Sequence, residues 1–152
     1  MEKTQLRRAL TGLMLIAAPL GAQAGDPPAA SQVGQTENET AYFLSSSVPE
    51  KELAILMKAA QDRQIPVYFR GLVNDNMEVT AKFMMHMVTT YHLQGIQIDP
   101  VRFERYGVRQ VPALVKKCGE HFDIVYGNVA LGQALDMINQ RGECRKAGNS
   151  TP

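Results

Sequence analysis

Ile98-Asp-Pro-Val-Arg-Phe-Glu-Arg-Tyr-Gly-Val-Arg-Gln-Val-Pro-Ala-Leu-Val115 decides the fold. Its first part reads as a short helix. Asp99 can cap that helix, and Pro100 falls at the first helical position, where a missing N–H removes no hydrogen bond. Gly107 stops it, as glycine does just past a helix end. Val111-Pro112-Ala113 then leads into an apolar strand.

Working outward, Ala41-Tyr-Phe-Leu-Ser45 reads as a buried strand. Ser47 and Glu50 follow at the spacing of a capping box, which predicts Ser47 as the cap of the next helix. Leu53, Leu56, Met57 and Ala60 form one apolar face of that helix. Pro66 prevents its continuation. Val67-Tyr-Phe-Arg70 is a second strand, closed by Gly71. Asn74 and Asn76 open a second helix with a stripe of Met84, Met87, Val88 and Tyr91, flanked by Phe83. Ile96-Gln97-Ile98 is a short third strand. Ala113 to Lys117 and Phe122 to Tyr126 are strands joined by a turn at Cys118-Gly119-Glu120. Leu131, Ala134, Leu135 and Ile138 mark a last helix. Strands alternating with helices, then a hairpin, predict an α/β domain: a central mixed sheet with helices on both faces. The order of elements, together with the Pro112 segment, resembles thioredoxin-like domains. That resemblance implies a thioredoxin-like fold with the proline in the cis form.

The chain has 152 residues, 45% hydrophobic, enough for one globular core. Its net charge of +1 and lack of a basic block argue against nucleic acid as a partner. Lys3, Arg7 and Arg8, the apolar run Ala9 to Leu20 and the small residues of Ala22-Gln23-Ala24 read as a secretory signal peptide over residues 1–24. The alternative is a short anchoring helix, but the run is short of the ~20 apolar residues that a span needs. Cleavage after Ala24 takes the net charge to −1 and leaves no stable membrane span. Residues 25–39 are rich in Pro, Ala, Ser, Gly, Gln and Thr and read as a flexible leader. The folded unit is expected over residues 40–141, with a polar tail over 142–152. A bacterial-looking presequence places the mature protein in the periplasm.

An oxidising compartment makes a disulfide the first expectation for Cys118 and Cys144, two free thiols being the alternative. Their spacing fits neither a CxxC redox pair nor a zinc site. In thioredoxin-like redox enzymes a CxxC pair opens the helix after the strand that corresponds to Ala41–Ser45, where the helix N-terminus stabilises thiolate. Here that segment is Ser45-Ser-Ser-Val-Pro49, without sulfur and without a histidine nearby in sequence. Dithiol exchange has no reactants there. No catalytic residue, cofactor site or metal site is expected.

Val111 and Pro112 keep two readings: a rigid turn, or an edge that offers backbone to an extended partner peptide. Arg70, beside Gly71, is either a strand-end side chain reaching solvent or a fixed guanidinium that holds a loop or a partner carboxylate. His86, His92 and His121 lack metal-ligand spacing and read as structural or solvated. Met84, Met85 and Met87 fit core packing better than a plastic binding surface. Arg102, Glu104, Arg105 and Arg109 read as a solvated charged face, with partner docking the lesser reading.

Tyr42-Phe-Leu-Ser-Ser-Ser-Val-Pro-Glu50, Pro66-Val-Tyr-Phe-Arg-Gly-Leu-Val73, Gln97-Ile-Asp-Pro-Val-Arg-Phe-Glu-Arg-Tyr-Gly-Val108 and Val111-Pro-Ala113 together resemble the TrbC family of F-type conjugation systems. The resemblance covers about Ala41 to Gln140. It implies a periplasmic pilus-assembly protein of a type IV secretion apparatus and association with a TraW-like transfer protein. It carries no catalytic residue. The readings to compare are thus a non-catalytic interaction module, a thiol-disulfide oxidoreductase using Cys118 or Cys144, and a chaperone that holds pilin segments.

Overall fold

A computed structural model describes residues 37–145. The expected signal peptide, the leader up to residue 36 and the tail from residue 146 lie outside the described residues. The elements run β1 (Asn38–Leu44), α1 (Glu50–Asp62), β2 (Val67–Phe69), a 3-10 turn (Val73–Asp75), α2 (Met77–Tyr91), β3 (Gln97–Ile98), α3 (Pro100–Arg105), β4 (Ala113–Cys118), β5 (His121–Tyr126) and α4 (Leu131–Arg141). They build one five-stranded sheet in the order β3-β2-β1-β4-β5. β1 pairs parallel with β2 and antiparallel with β4, so it lies at the centre. Its last four residues, Ala41 to Leu44, are all buried. The parallel β1-α1-β2 unit, the antiparallel β4-β5-α4 unit and a cis bond at Val111–Pro112 just ahead of β4 make the fold thioredoxin-like.

Alternation along the strands sorts the core into two clusters. Tyr42, Leu44, Val67, Phe69 and Leu114 face α1, α2 and α4, and pack with Leu53, Met57, Met87, Leu131 and Ile138. Ala41, Phe43, Tyr68, Ala113 and Val115 face the other way, onto Phe103 and Tyr106 of the α3 region and Val108. Phe43 is the centre of that second cluster, edge-on to Phe103 at 4.8 Å and to Tyr106 at 6.1 Å. The sheet is therefore covered unevenly. Three helices lie on one face, and among the described residues only α3 lies on the other.

Four expectations need correction. The leader does not reach residue 39: Asn38 and Glu39 already pair with Cys118 and Lys117 in the sheet, so the domain begins before Thr40. Ser47 does not cap α1. Pro49 occupies the cap position without a side-chain bond, and Glu50 is the first helical residue. Ser47 sits too early to reach the free amides of the first turn, and its hydroxyl pairs with that of Ser45. Glu50 does not reach back along the chain; its carboxylate accepts from Tyr91 Oη at 2.7 Å and contacts His86 Nε2 at 2.8 Å, tying α1 to α2. Finally, Val88 of the expected α2 stripe is 38% exposed. Only Thr80 and Met87 of this fifteen-residue helix are buried.

The cap of α2 is Asn76, which accepts from Val79 N at 3.0 Å. Asp99 caps α3 in the same way through Arg102 N at 2.9 Å, with Pro100 at its start. Gly107, at φ +61, takes the left-handed conformation just past the helix that glycine adopts without steric cost.

Cys118, at the end of β4, is bonded to Cys144, beyond α4. Cys144 is buried, and its amide donates to Asp123 Oδ2 at 2.8 Å. The tail is thus fixed at residues 143 and 144. Closing this loop of 26 residues removes chain entropy worth about 3.5 kcal/mol from the unfolded state. Replacing both cysteines with alanine should lower the unfolding free energy by about that amount while the folded circular dichroism spectrum persists, as chemical denaturation will measure.

Tyr42 is 1% exposed, and its hydroxyl has no hydrogen-bond partner among the described residues. Burial, helped by the Glu52 charge, pushes its phenol up to about 12. Folding therefore favours the protonated phenol. This contribution is complete below about pH 10, where an unfolded tyrosine ionises, and is lost as the pH climbs from there towards about 12. Tyr42→Phe removes an unpaired buried hydroxyl, so it should stabilise the fold by about 1 kcal/mol near neutral pH. It should also flatten the alkaline fall in stability, which thermal melts across pH will report.

Candidate functional site

The candidate site lies where β1 ends and the Val111–Pro112 loop passes it. Ser45, Ser47, Arg70, Arg109, Gln110 and Val111 line an open recess of about 420 Å³. The sheet explains their meeting. β2 and β4 flank β1, so the residue after β2 and the loop before β4 reach the same end as the residues after β1. Ser45 to Pro49 thus stand opposite the proline loop, where a redox enzyme of this fold would carry its thiols. The disulfide is at the other end of β4, so neither cysteine reaches this recess.

Arg70 is held on two sides. Its Nη2 donates to the Val108 carbonyl at 2.9 Å, and its guanidinium lies 5.0 Å from the Phe103 ring centroid. It therefore joins the end of β2 to the loop after α3. Both sequence readings of Arg70 are partly met: it is exposed, yet it holds a loop. Gly71 needs no special conformation, and a Cβ there would meet nothing within 4 Å. Pro112 is buried and Val111 half-buried. The Val111 N–H and C=O have no hydrogen-bond partner among the described residues, whereas the Pro112 carbonyl accepts from Gly127 N at 2.8 Å. Two adjoining recesses extend the site past Gly107 and Arg109, one to Glu104 and Pro100 and the other to Tyr126.

α3 is fixed across the sheet by a buried ionic cluster at the start of β1, the end opposite the recess. Arg102 Nε donates to Glu39 Oε1 at 2.8 Å, and its Nη1 to Asp99 Oδ2 at 2.6 Å. The side chains of Arg102 and Glu39 are only 13% and 10% exposed. The guanidinium stacks 4.1 Å from the Tyr68 ring centroid. Tyr106 donates its hydroxyl to the other Glu39 oxygen. Burial, then this bond to Glu39, raises the Tyr106 phenol well above its ordinary range. Arg102 is therefore no part of a solvated face, which corrects that reading: its charge is satisfied inside. Arg109, by contrast, is exposed and makes no ion pair among the described residues. The sequence carries one local signal for this cluster: Glu39 stands just ahead of the unbroken apolar run Ala41 to Leu44.

Chemically, the recess presents two serine hydroxyls, two guanidiniums, an amide side chain and open backbone at Val111. Among the described residues it has no base beside a serine and no thiol. Its described lining carries two arginines and no carboxylate, a positive charge. His86 and His121 are engaged elsewhere, with Glu50 at 2.8 Å and Glu143 at 3.0 Å. His92 ends α2 in the left-handed conformation. Of the three methionines considered, Met87 is in the core, Met84 is half-buried against it and Met85 is exposed.

Residues 42–138 match the family model described as "Type-F conjugative transfer system pilin assembly protein". Over 120 residues the chain is 38% identical to "Periplasmic protein TrbC" of Escherichia coli (strain K12), covering 79% of this chain and 57% of that protein. The chain thus spans little more than half the length of that relative. Among solved structures, MTB DsbF is similar at 15% identity and a TM-score of 0.46, over 72% of this chain and 82% of its own. A secreted Mycobacterium tuberculosis disulfide oxidoreductase homologous to E. coli DsbE is similar at 20% identity and a TM-score of 0.41, over 62% and 72%.

The two arginine contacts differ in depth, so their loss should differ in cost. Glu39→Gln takes one of its two carboxylate partners from buried Arg102, Asp99 remaining, and should cost about 2 kcal/mol of unfolding free energy. Arg70→Ala gives up one bond to a carbonyl and an exposed ring contact, and should cost about 1 kcal/mol. Urea titration of the two variants will rank them.

Proposed function

This chain belongs to the TrbC family of F-type pilin assembly proteins, and on that premise we propose that it is a non-catalytic periplasmic factor in conjugative pilus assembly, acting by protein–protein contact through the Val111–Pro112 recess. Its relative's name, Periplasmic protein TrbC, and its own N-terminal export signal support the compartment. No helix among the described residues is long and apolar enough to cross a membrane. The observation that carries the non-catalytic reading is the pairing of the cysteines. Both are used in one disulfide at the far end of β4, and the position that would hold redox thiols is Ser45 to Pro49.

The docking role rests on what the recess offers. Val111 has an unpaired N–H and C=O, which an extended segment can bond as a strand would. Arg70 and Arg109 favour carboxylates, and Arg70 is already oriented by Val108 and Phe103. The occupant is therefore an extended, acidic segment of another transfer protein, of which a TraW-like periplasmic component is the first candidate. A pilin-holding chaperone would use the same recess on unassembled pilin.

A photo-crosslinker placed at Gln110 should capture the TraW-like protein in cells, and Arg109→Glu should abolish capture while the protein remains folded. Capture of pilin alone would move the role to chaperoning. Normal pilus formation in a deletion strain would sink the assembly role itself. Insulin reduction by the wild-type protein that Cys118→Ser abolishes would replace it with an oxidoreductase.

A further inference from the structure

β5 is an edge strand with the sequence His-Phe-Asp-Ile-Val-Tyr and no buried residue, whereas the first three residues of β4 beside it are fully buried. Phe122 and Tyr126 are each 40% exposed. With Ile124 they lie on the face of the sheet that only α3 covers: each is opposite Lys117, Ala113 or Val115 of β4. Phe122 meets Tyr106 edge-on at 5.1 Å, so this apolar stripe is continuous with the second core cluster.

The direction of the backbone groups of β5 follows from two bonds. Gly119 N donates to Glu37 O, so odd-numbered residues of β4 turn their groups to β1 and even-numbered ones to β5. Gly127 N donates to Pro112 O, and the register then pairs His121, Asp123 and Val125 with β4. Phe122, Ile124 and Tyr126 are left with N–H and C=O aimed away from the sheet. Exposed edges are usually blunted by shortness, lysine, proline or a bulge. The opposite edge, β3, is two residues long. β5 has six residues, an unbroken register, no proline and no lysine. Its single acid, Asp123, points to the other face and accepts from the amides of Glu143 and Cys144.

We propose that β5 pairs antiparallel with β5 of a second copy of this chain, centred on Ile124, joining two five-stranded sheets into one. The strand is self-complementary in that register. Its three outward residues give three bonded pairs, Phe122 with Tyr126, Ile124 with Ile124 and Tyr126 with Phe122. Shifting the centre to Asp123 or Val125 leaves two such pairs. A centre at Asp123 also sets two carboxylates opposite each other, which is unfavourable. The chosen register places aromatic pairs on both sides of an aliphatic centre, and an isologous two-fold contact closes without forming a filament. This inference does not depend on the Val111–Pro112 recess or on its partner.

Sedimentation of the exported chain, residues 25–152, across roughly micromolar to submillimolar concentration, combined with amide exchange, tests it. The expected result is a monomer–dimer equilibrium in which the amides of Phe122, Ile124 and Tyr126 become protected only at high concentration. Those of His121, Asp123 and Val125 should be protected throughout. Phe122→Lys, at an exposed site, should shift dimerisation to at least tenfold higher concentration with an unchanged circular dichroism spectrum. A monomer at every concentration overturns the proposal. So does a dimer that leaves the three outward amides exchanging, since another surface then forms it. Protection of these amides in the dilute monomer also overturns it, because the chain's own residues beyond 145 would then occupy the edge.

Discussion

The carboxylate of Glu39 sets the geometry on which the rest of the site depends. It receives Arg102 and Tyr106 at once, from the middle and the end of the short α3 region, and does so at the start of the central strand. A six-residue helix has little stability of its own. Held by this cluster, it places Phe103 under Phe43 and against Arg70, and Val108 where Arg70 can bond its carbonyl. The loop through Val111 then leaves a fixed point and enters β4. Removing the charge pair would therefore act on the recess without touching any residue that lines it. The cluster's energetic worth is bounded by desolvation, so its value is positional: breaking it costs more than forming it supplies.

Much of this arrangement was legible from local chemistry. Asp99-Pro100 and Gly107 bracket α3 because capping and left-handed geometry are read within a few residues. The mixed character of the sheet also followed, since a βαβ unit pairs its strands parallel and a hairpin antiparallel. Ser47 misled because its spacing to Glu50 imitates a capping box while Pro49 takes the cap position, two residues on. Glu39 and Arg102 misled because both look solvated in sequence; their pairing spans 63 positions and depends on tertiary placement. The recess itself was only half readable. Arg70 and Val111 were recognisable as a pair of candidates, but Arg109 and Gln110 became part of it only through the turn that Gly107 starts.

The contrast between the two sheet faces is the less obvious result. Periodicity predicts helices on both sides and says nothing of their size. One face carries α1, α2 and α4, while the other relies on α3 and a row of aromatics around Phe43. That imbalance leaves Phe122, Ile124 and Tyr126 partly uncovered and gives the β5 edge its character.

The sparse burial of α2 has a kinetic meaning. Its fifteen residues are secured mainly by Met87 and Thr80, by the Asn76 cap, and by the contacts of His86 and Tyr91 with Glu50. Met87 shares the core of β1 and β4, while the polar contacts belong neither to the β1–β4 pairing nor to the α3 cluster. With only two buried residues, α2 is the long helix expected to open at a free energy below that of global unfolding. The sheet and its proline loop would survive such an opening intact. A chain bound beside this helix would thus meet an element whose displacement leaves the lining of the recess unaltered.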